Sequence, residues 1–311
     1  MSDGPLTIVA LGGNALLRRG EESTAANQHA AAKEAARALA PVSERARLVV
    51  THGNGPQVGL LALKEDAYGE GEPYPLDVLD AESGGQIGYV VELELDNAID
   101  HQDTVALITR VLVDRDDPAF SDPTKFIGPV YEEDQARALA ARHGWDVRPD
   151  GDAWRRVVPS PEPREIVQLA AIRRLVESGF LVVCVGGGGV PVVAVPGGHE
   201  GVEAVIDKDL ASSLLAVGLA ADVLVLATDV DAVYLDWGTP GQREVARATP
   251  TGLRAESFSS GSMGPKVEAV CRFVEATGNR GAIGALDDLG AIVDGTAGTQ
   301  VSPDGPDLEL R

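Results

Sequence analysis

Short apolar runs that end on glycine, separated by stretches of helical periodicity, set the strongest limit on how this chain folds. Leu6–Leu11 ends in Gly12-Gly13-Asn14, Arg47–His52 runs into Gly53-Asn54-Gly55, and residues 104–113 form the third run. Runs this short and apolar read as buried strands. Between them, residues 24–40 read as a helix closed by Pro41. Residues 66–82 read as an acidic loop, and a second helix opens at Ser83 with Ile87, Val90, Val91 and Leu95 on one face. Strand–helix alternation of this kind predicts parallel strands joined by crossover helices. The pattern resumes with strands at 180–185 and 221–227, the second ending at Thr228-Asp229, and a helix from 261 to the stop at Gly278.

Between 114 and 160 the alternation breaks. This stretch is proline-rich and charged, carries Trp145 and Trp154, and reads as a lid inserted into one domain spanning 1–311. At its end, Ser160 and Pro161 suit an N-cap and first helical position, with Ile166, Leu169 and Ala170 beginning an apolar face.

Composition narrows the function. No apolar run approaches the ~20 residues of a membrane-spanning helix, and the N-terminus lacks a basic flank or cleavage pattern, so a cytoplasmic protein is expected. The formal net charge of −22 repels nucleic acid and anionic membranes, which argues against both as partners. It repels nucleotides too, so a nucleotide site here needs concentrated local positive charge. Cys184 and Cys271 fall on apolar faces and read as packing residues. The five histidines form no ligand-spaced pair, so no protein metal site is expected. His52, at a strand end, reads as a base or as a hydrogen-bonded structural residue.

The chain has 26 basic residues but only five lysines. Lys33 and Lys64 lie in polar helical stretches. The other three stand in turn-like or helix-starting contexts: Pro-Thr-Lys125-Phe, Asp207-Lys208-Asp209 and Met-Gly-Pro-Lys266. A lysine at a helix start is locally odd, because that end favours anions. Lysine is a compact charge on a flexible stem, suited to following a phosphoryl group. Three such lysines point to phosphate chemistry. No lysine follows a glycine, so there is no P-loop. Gly53-Asn-Gly-Pro-Gln-Val-Gly59 misses the dinucleotide spacing and follows the wrong strand for a nicotinamide site.

Seven blocks together resemble the amino-acid kinase superfamily and, within it, the carbamate kinases. They are Val9-Ala-Leu-Gly-Gly-Asn-Ala15, Thr51-His-Gly-Asn-Gly-Pro-Gln-Val-Gly59, Pro123-Thr-Lys-Phe-Ile-Gly-Pro129, Trp154-Arg-Arg-Val-Val-Pro-Ser-Pro161, Gly186-Gly-Gly-Gly-Val-Pro-Val-Val193, Gly201-Val-Glu-Ala-Val-Ile-Asp-Lys-Asp209 and Gly261-Ser-Met-Gly-Pro-Lys266. They occur in the family's order. The resemblance implies a three-layer α-β-α sandwich around a mainly parallel sheet, with a small protruding lid, usually as a homodimer. It implies reversible phosphoryl exchange between ATP and carbamate, giving ADP and carbamoyl phosphate, run toward ATP in arginine fermentation. Other branches of the superfamily often carry a lysine where this chain has Leu11; Lys125 matches the lid lysine of carbamate kinases that replaces it.

On that resemblance, Lys208 and Lys266 face the transferring phosphoryl group and nucleotide phosphates. Lys125 closes over the carbamate side, and Asp209 holds the lysines in place. Gly12, Gly13, Asn14, Gly53 and Asn54 hold substrate with backbone and amide donors. Thr228, Asp229 and Met263 fall on the nucleoside side. Magnesium accompanies the nucleotide, with phosphates supplying most of its ligands. The rivals are a kinase of the same superfamily with another acceptor, and a non-catalytic sensor on the same fold.

Overall fold

The computed structural model describes residues 4–13, 21–22, 24–68, 73–259 and 263–311. Asn14 lies outside the described residues. The chain begins with β1 (Leu6–Leu11), α1 (Ala25–Ser43), β2 (Arg47–His52), α2 (Gly55–Tyr68) and α3 (Leu76–Ala98). Next come β3 (Thr104–Ala106), β4 (Arg110–Leu112), β5 (Lys125–Tyr131), α4 (Glu133–His143), β6 (Asp146–Asp150) and β7 (Ala153–Val158). The middle continues with β8 (Glu165–Ile166), α5 (Leu169–Glu177), β9 (Leu181–Val183), β10 (Val190–Val195), β11 (Gly198–Gly201) and α6 (Lys208–Leu219). Then follow β12 (Val223–Thr228), β13 (Val233–Leu235), β14 (Arg243–Ala248), α7 (Pro250–Arg254) and α8 (Met263–Thr277). The last elements are β15 (Arg280–Ala285), α9 (Leu289–Val293), β16 (Thr299–Val301) and β17 (Leu308–Leu310).

Strands β15, β12, β1, β2, β9 and β3 lie side by side, every neighbouring pair parallel. Beyond β15 the same sheet turns mixed, through β16, β14, β13 and β17. Its central strands β12, β1, β2 and β9 are buried along nearly their whole length because both faces are covered. Along β1, Leu6, Ile8 and Ala10 pack with Leu215 of α6 and Phe273 of α8, while Val9 and Leu11 pack with Leu39 of α1 and Leu95 of α3. The result is an α-β-α sandwich. A one-residue slip of β1 would exchange its two faces between differently shaped cores, so register is strongly set. Two smaller sheets flank it, β11-β10-β4-β8 and the antiparallel β5-β7-β6.

Several expectations needed correction. Pro41 sits inside the last turn of α1, which runs on to Ser43. Its missing N–H costs one amide bond near the end, where the helix has little left to lose. Residues 66–82 are not all loop, since α2 reaches Tyr68 and α3 starts at Leu76, with the Leu76 amide held by Glu203 Oε1 at 3.0 Å. Ser83 and the glycines after it are therefore interior to α3. Gly84 and Gly85 lie in mid-helix, where a Cβ would meet its neighbours only at ordinary contact distances, so they do not mark a helix start. The apolar run 104–113 is two strands in two sheets, β3 beside β9 and β4 beside β10. Between 114 and 160 the chain does form regular structure, the β5-β7-β6 sheet with α4. Its arginines hid the strands: Arg156 stacks over Trp145 at 4.5 Å and Arg137 over Trp154 at 4.6 Å, covering apolar surface with charged residues. Finally, Ser160 caps no helix. Pro163 disfavours helical geometry at the residue before it; the stretch runs extended into β8, and α5 starts only at Leu169.

Candidate active site

β1 has β2 on one side and β12 on the other, so the chain reverses its direction of travel across the sheet at β1. Loops leaving the C-terminal ends of strands diverge at such a point and leave a crevice. A cavity of about 820 Å³ opens there. Gly12, Gly13, Gly53, Asn54, Lys125, Lys208, Asp209, Thr228, Asp229, Met263 and Lys266 all line it. Residues more than 250 apart in sequence thus meet in one hollow, most of them following a strand or starting a helix at the same edge, with Lys125 brought in by the start of β5 from the smaller sheet.

The lysines are organised by two aspartates at the start of α6. Asp207 is the N-cap, its Oδ1 accepting from the amides of Asp209 at 2.9 Å and Leu210 at 3.2 Å. Its Oδ2 meets Lys125 Nζ at 2.6 Å, tying β5 to α6. Asp209 stands between the other two: Oδ1 is 2.7 Å from Lys208 Nζ, and Oδ2 is 3.0 Å from Lys266 Nζ of α8. The oddity of a cation at a helix start is resolved by anions on both sides of it. The Lys208–Asp209 pair is close but not aligned as a hydrogen bond, and Lys208 Nζ has no aligned acceptor among the described residues.

Burial governs the protonation of this cluster. It pulls the Lys208 ammonium down, against the opposing pull of Asp209. It works on Lys266 in the same direction, but there Asp209 outweighs it and the ammonium is held above its usual value. Burial alone would raise the Asp209 carboxyl; Lys208 and Lys266 together hold it well below the carboxylate range. His52 is buried, which lowers its pKa to about 4, and its Nδ1 lies 3.2 Å from the Gly53 carbonyl. It is neutral and structural, not a poised base. Cys184 and Cys271 are buried, and burial pushes both thiols up.

Two expected donors are engaged elsewhere. The Gly12 amide donates to the Ala227 carbonyl at 3.1 Å, and a Cβ there would stand 3.0 Å from that oxygen. Gly12 shapes the floor by letting two backbones approach. Asn54 Nδ2 donates to Asp80 Oδ1 at 2.7 Å and Ser83 Oγ at 2.9 Å, so its amide hydrogens point away from any substrate. Gly13 and Gly53 adjoin the lysines, a Cβ on Gly53 falling 3.8 Å from Lys208 Cδ. Thr228 Oγ1 donates to Asp229 Oδ1 at 3.1 Å.

Sequence reasoning missed Asp207, Arg155 and the aromatic wall of Tyr234, Trp237 and Phe258, which also line the cavity. Asp207 had a signal, an aspartate directly before a helical run. Arg155 reaches the Gly128 carbonyl at 2.7 Å from within β7, a strand that was not read. The Tyr234 and Trp237 rings stand 5.3 Å apart, in a segment without periodicity to point to them.

A mainly parallel sandwich with a lysine-rich crevice at its switch point defines a class that handles phosphoryl groups at strand ends. A family model, "Amino acid kinase family", matches residues 5–284. The chain belongs to the amino acid kinase family. It is 51% identical over 305 residues to the carbamate kinase of Rhizobium meliloti (strain 1021), covering 97% of this chain and 94% of that one. It is 48% identical to the carbamate kinase of Haemophilus influenzae, covering 95% and 96%. Among solved structures it resembles carbamate kinase from Giardia lamblia bound to AMP-PNP, at 37% identity and a TM-score of 0.90, covering 98% and 100%.

Proposed function

We infer that this chain is a carbamate kinase, moving a phosphoryl group reversibly between ATP and carbamate to give ADP and carbamoyl phosphate. The observation that carries this is the convergence of Lys125, Lys208 and Lys266 on Asp207 and Asp209 in one cavity, within a chain about half identical to carbamate kinases.

Toward ATP, a β-phosphate oxygen of ADP attacks the phosphorus of carbamoyl phosphate, and the bond from phosphorus to the carbamate oxygen breaks. The leaving carbamate delocalises its charge over a carboxylate, so no side-chain acid is required. Negative charge spreads over the phosphoryl oxygens in flight, and catalysis reduces to placing cations around it. Lys208 and Lys266 take the phosphoryl and nucleotide phosphates. Each ammonium has three hydrogens, of which the aspartates use at most one apiece, so donors remain for the substrate. Lys125 takes the carbamate side, carried by the 114–160 segment acting as a lid within a single 1–311 domain. Asp209 keeps the two buried lysines apart and charged.

Gly13 and Gly53 let the phosphoryl group approach the backbone. Thr228, Asp229 and Met263 take the nucleoside side, where Tyr234 and Trp237 add an aromatic face for a base. Magnesium enters as part of the nucleotide substrate. Lys125, Lys208 and Lys266 already engage Asp207 and Asp209, so the nucleotide phosphates would supply most of the ligands of that ion. No helix among the described residues is long and apolar enough to cross a membrane. A cytoplasmic location is proposed. A homodimer is proposed on the strength of exposed Tyr89 and Ile108 on α3 and the loop beside it. As an acyl phosphate, carbamoyl phosphate is the better donor, which favours flux toward ATP.

The decisive experiment supplies ADP, magnesium and carbamoyl phosphate and couples ATP formation to a reporter. Absence of ATP would refute the assignment.

A further inference from the structure

Asn54 stands where β2 hands over to α2, and it is 2% exposed. Its Nδ2 is held by two acceptors on α3, Asp80 Oδ1 and Ser83 Oγ. The Ser83 hydroxyl gives its single hydrogen to the Leu79 carbonyl at 2.8 Å, with the Asp80 carbonyl farther at 3.2 Å. Toward Asn54, therefore, Ser83 can only accept. That sets the amide: the NH2 points into α3 and the carbonyl oxygen points away from it. Oδ1 has no hydrogen-bond partner among the described residues, and Asn54 lines the cavity. Gly187 holds the far side, since a Cβ built there would overlap the amide, with Oδ1 at 2.7 Å. On the near side, Gly53 lies against the Lys208 stem. A lone, pre-oriented acceptor thus belongs to a residue that lines the same cavity as Lys208.

The geometry points to Asn54 as a specificity residue whose Oδ1 accepts a hydrogen bond from the NH2 of carbamate, with Asp80 and Ser83 as positioning residues. This rests on the carbamate kinase assignment and extends it, because lysines alone recognise only an anion. Acetate presents a carboxylate of the same size but no N–H, and would leave a nearly buried oxygen unsatisfied. Sites that hydrogen-bond a substrate group reject the analogue lacking it more strongly than apolar pockets reject a missing methyl. Asp80 is buried with Oδ2 unpartnered among the described residues, and burial holds its carboxyl well above the usual range. Its Oδ1 accepts from Asn54 in either protonation state, so the orientation does not depend on pH.

The test compares carbamoyl phosphate with acetyl phosphate as phosphoryl donors to ADP. Asn54→Ala is expected to lower kcat/KM for carbamoyl phosphate about tenfold, the scale of one hydrogen bond, and to change acetyl phosphate less than about threefold. Asp80→Ala, which frees the amide to rotate, is expected to lower the donor ratio in the same sense, and Asp80→Asn, which keeps an acceptor for Nδ2, to bring it back. The Asp80 pair keeps the question answerable if Asn54→Ala does not fold. Equal losses with both donors, or an unchanged ratio in all variants, overturn this inference alone. Failure of the unaltered protein to use carbamoyl phosphate overturns the assignment and this inference with it.

Discussion

Replacing Asp209 by asparagine removes the charge that lets two ammoniums share a buried space. Its oxygens stand 2.7 Å from Lys208 Nζ and 3.0 Å from Lys266 Nζ. With an effective dielectric of about 20, Coulomb's law gives about 6 kcal/mol at the shorter distance and about 5.5 kcal/mol at the longer. Desolvation of the three groups offsets much of that, and breaking one partner out of a buried pair costs roughly 3–5 kcal/mol. With about 2.1 cal/mol/K of unfolding entropy per residue over 311 residues, Asp209→Asn should therefore melt roughly 5–8 °C below the unaltered protein. Turnover should fall about 100-fold or more, because the surviving lysines repel and leave the positions a phosphoryl group needs.

The pH dependence supplies a second signature. A carboxyl whose folded pKa is depressed adds stability above its unfolded value of about 3.9, and that stability is lost as pH falls through the folded value. Asp209 is such a group. The gap in stability between the two proteins should be flat from about pH 5 to 8 and close only in acid. Calorimetry across that range, beside the ADP-coupled assay, measures both effects. A variant with unchanged melting and near-normal turnover would show that Asp209 does not organise the lysines.

Lys208→Ala and Lys266→Ala should each lose roughly two or more orders of magnitude in turnover, measured with saturating carbamoyl phosphate; near-normal rates in either would remove its assigned role. Gly187 has a φ of +71°, and a Cβ there would overlap the Asn54 amide, so Gly187→Ala should lose about 1–2 kcal/mol from backbone strain alone. Chemical denaturation reads this, and an unaltered midpoint would show that the loop adapts. His52 has its pKa lowered to about 4 from 6.5 because it is buried. Between those values the unfolded chain takes up a proton that the folded one refuses, so stability is complete above pH 6.5 and falls toward pH 4, by about 3 kcal/mol. His52→Gln should flatten that decline, and an equal fall in unfolding free energy from about pH 7.5 to 4.5 in the variant and the unaltered protein, read by denaturant titration, would contradict it.

Legibility in the sequence followed how local each feature's cause is. The strands β1, β2 and β12 showed themselves because burial on both faces demands unbroken apolar runs, and the glycines after them because sharp turns at strand ends need them. Lys125, Lys208 and Lys266 stood out because lysine is scarce here and each stands at the start of an element, Lys125 of the strand β5 and the other two of the helices α6 and α8. Elements whose apolar surface is covered by charged side chains, such as β7 with Arg137 stacked over Trp154, carried no periodic signal. Likewise, Gly84 and Gly85 read as a boundary when they lie in the interior of α3, where its packing against the rest of the domain holds the helix.

The amino-acid sequence by itself determined the class of fold and pointed to the three lysines, Asp209 and the glycine turns that line the cavity, because those depend on composition and short-range pattern. Only the tertiary structure decided which aspartate holds which lysine, that the Gly12 and Asn54 amides are engaged internally, and that Tyr234 and Trp237 wall the cavity. Hydrogen bonds and ion pairs between residues tens to hundreds of positions apart are set by where the crossover helices bring strand ends together, and no local pattern encodes that distance.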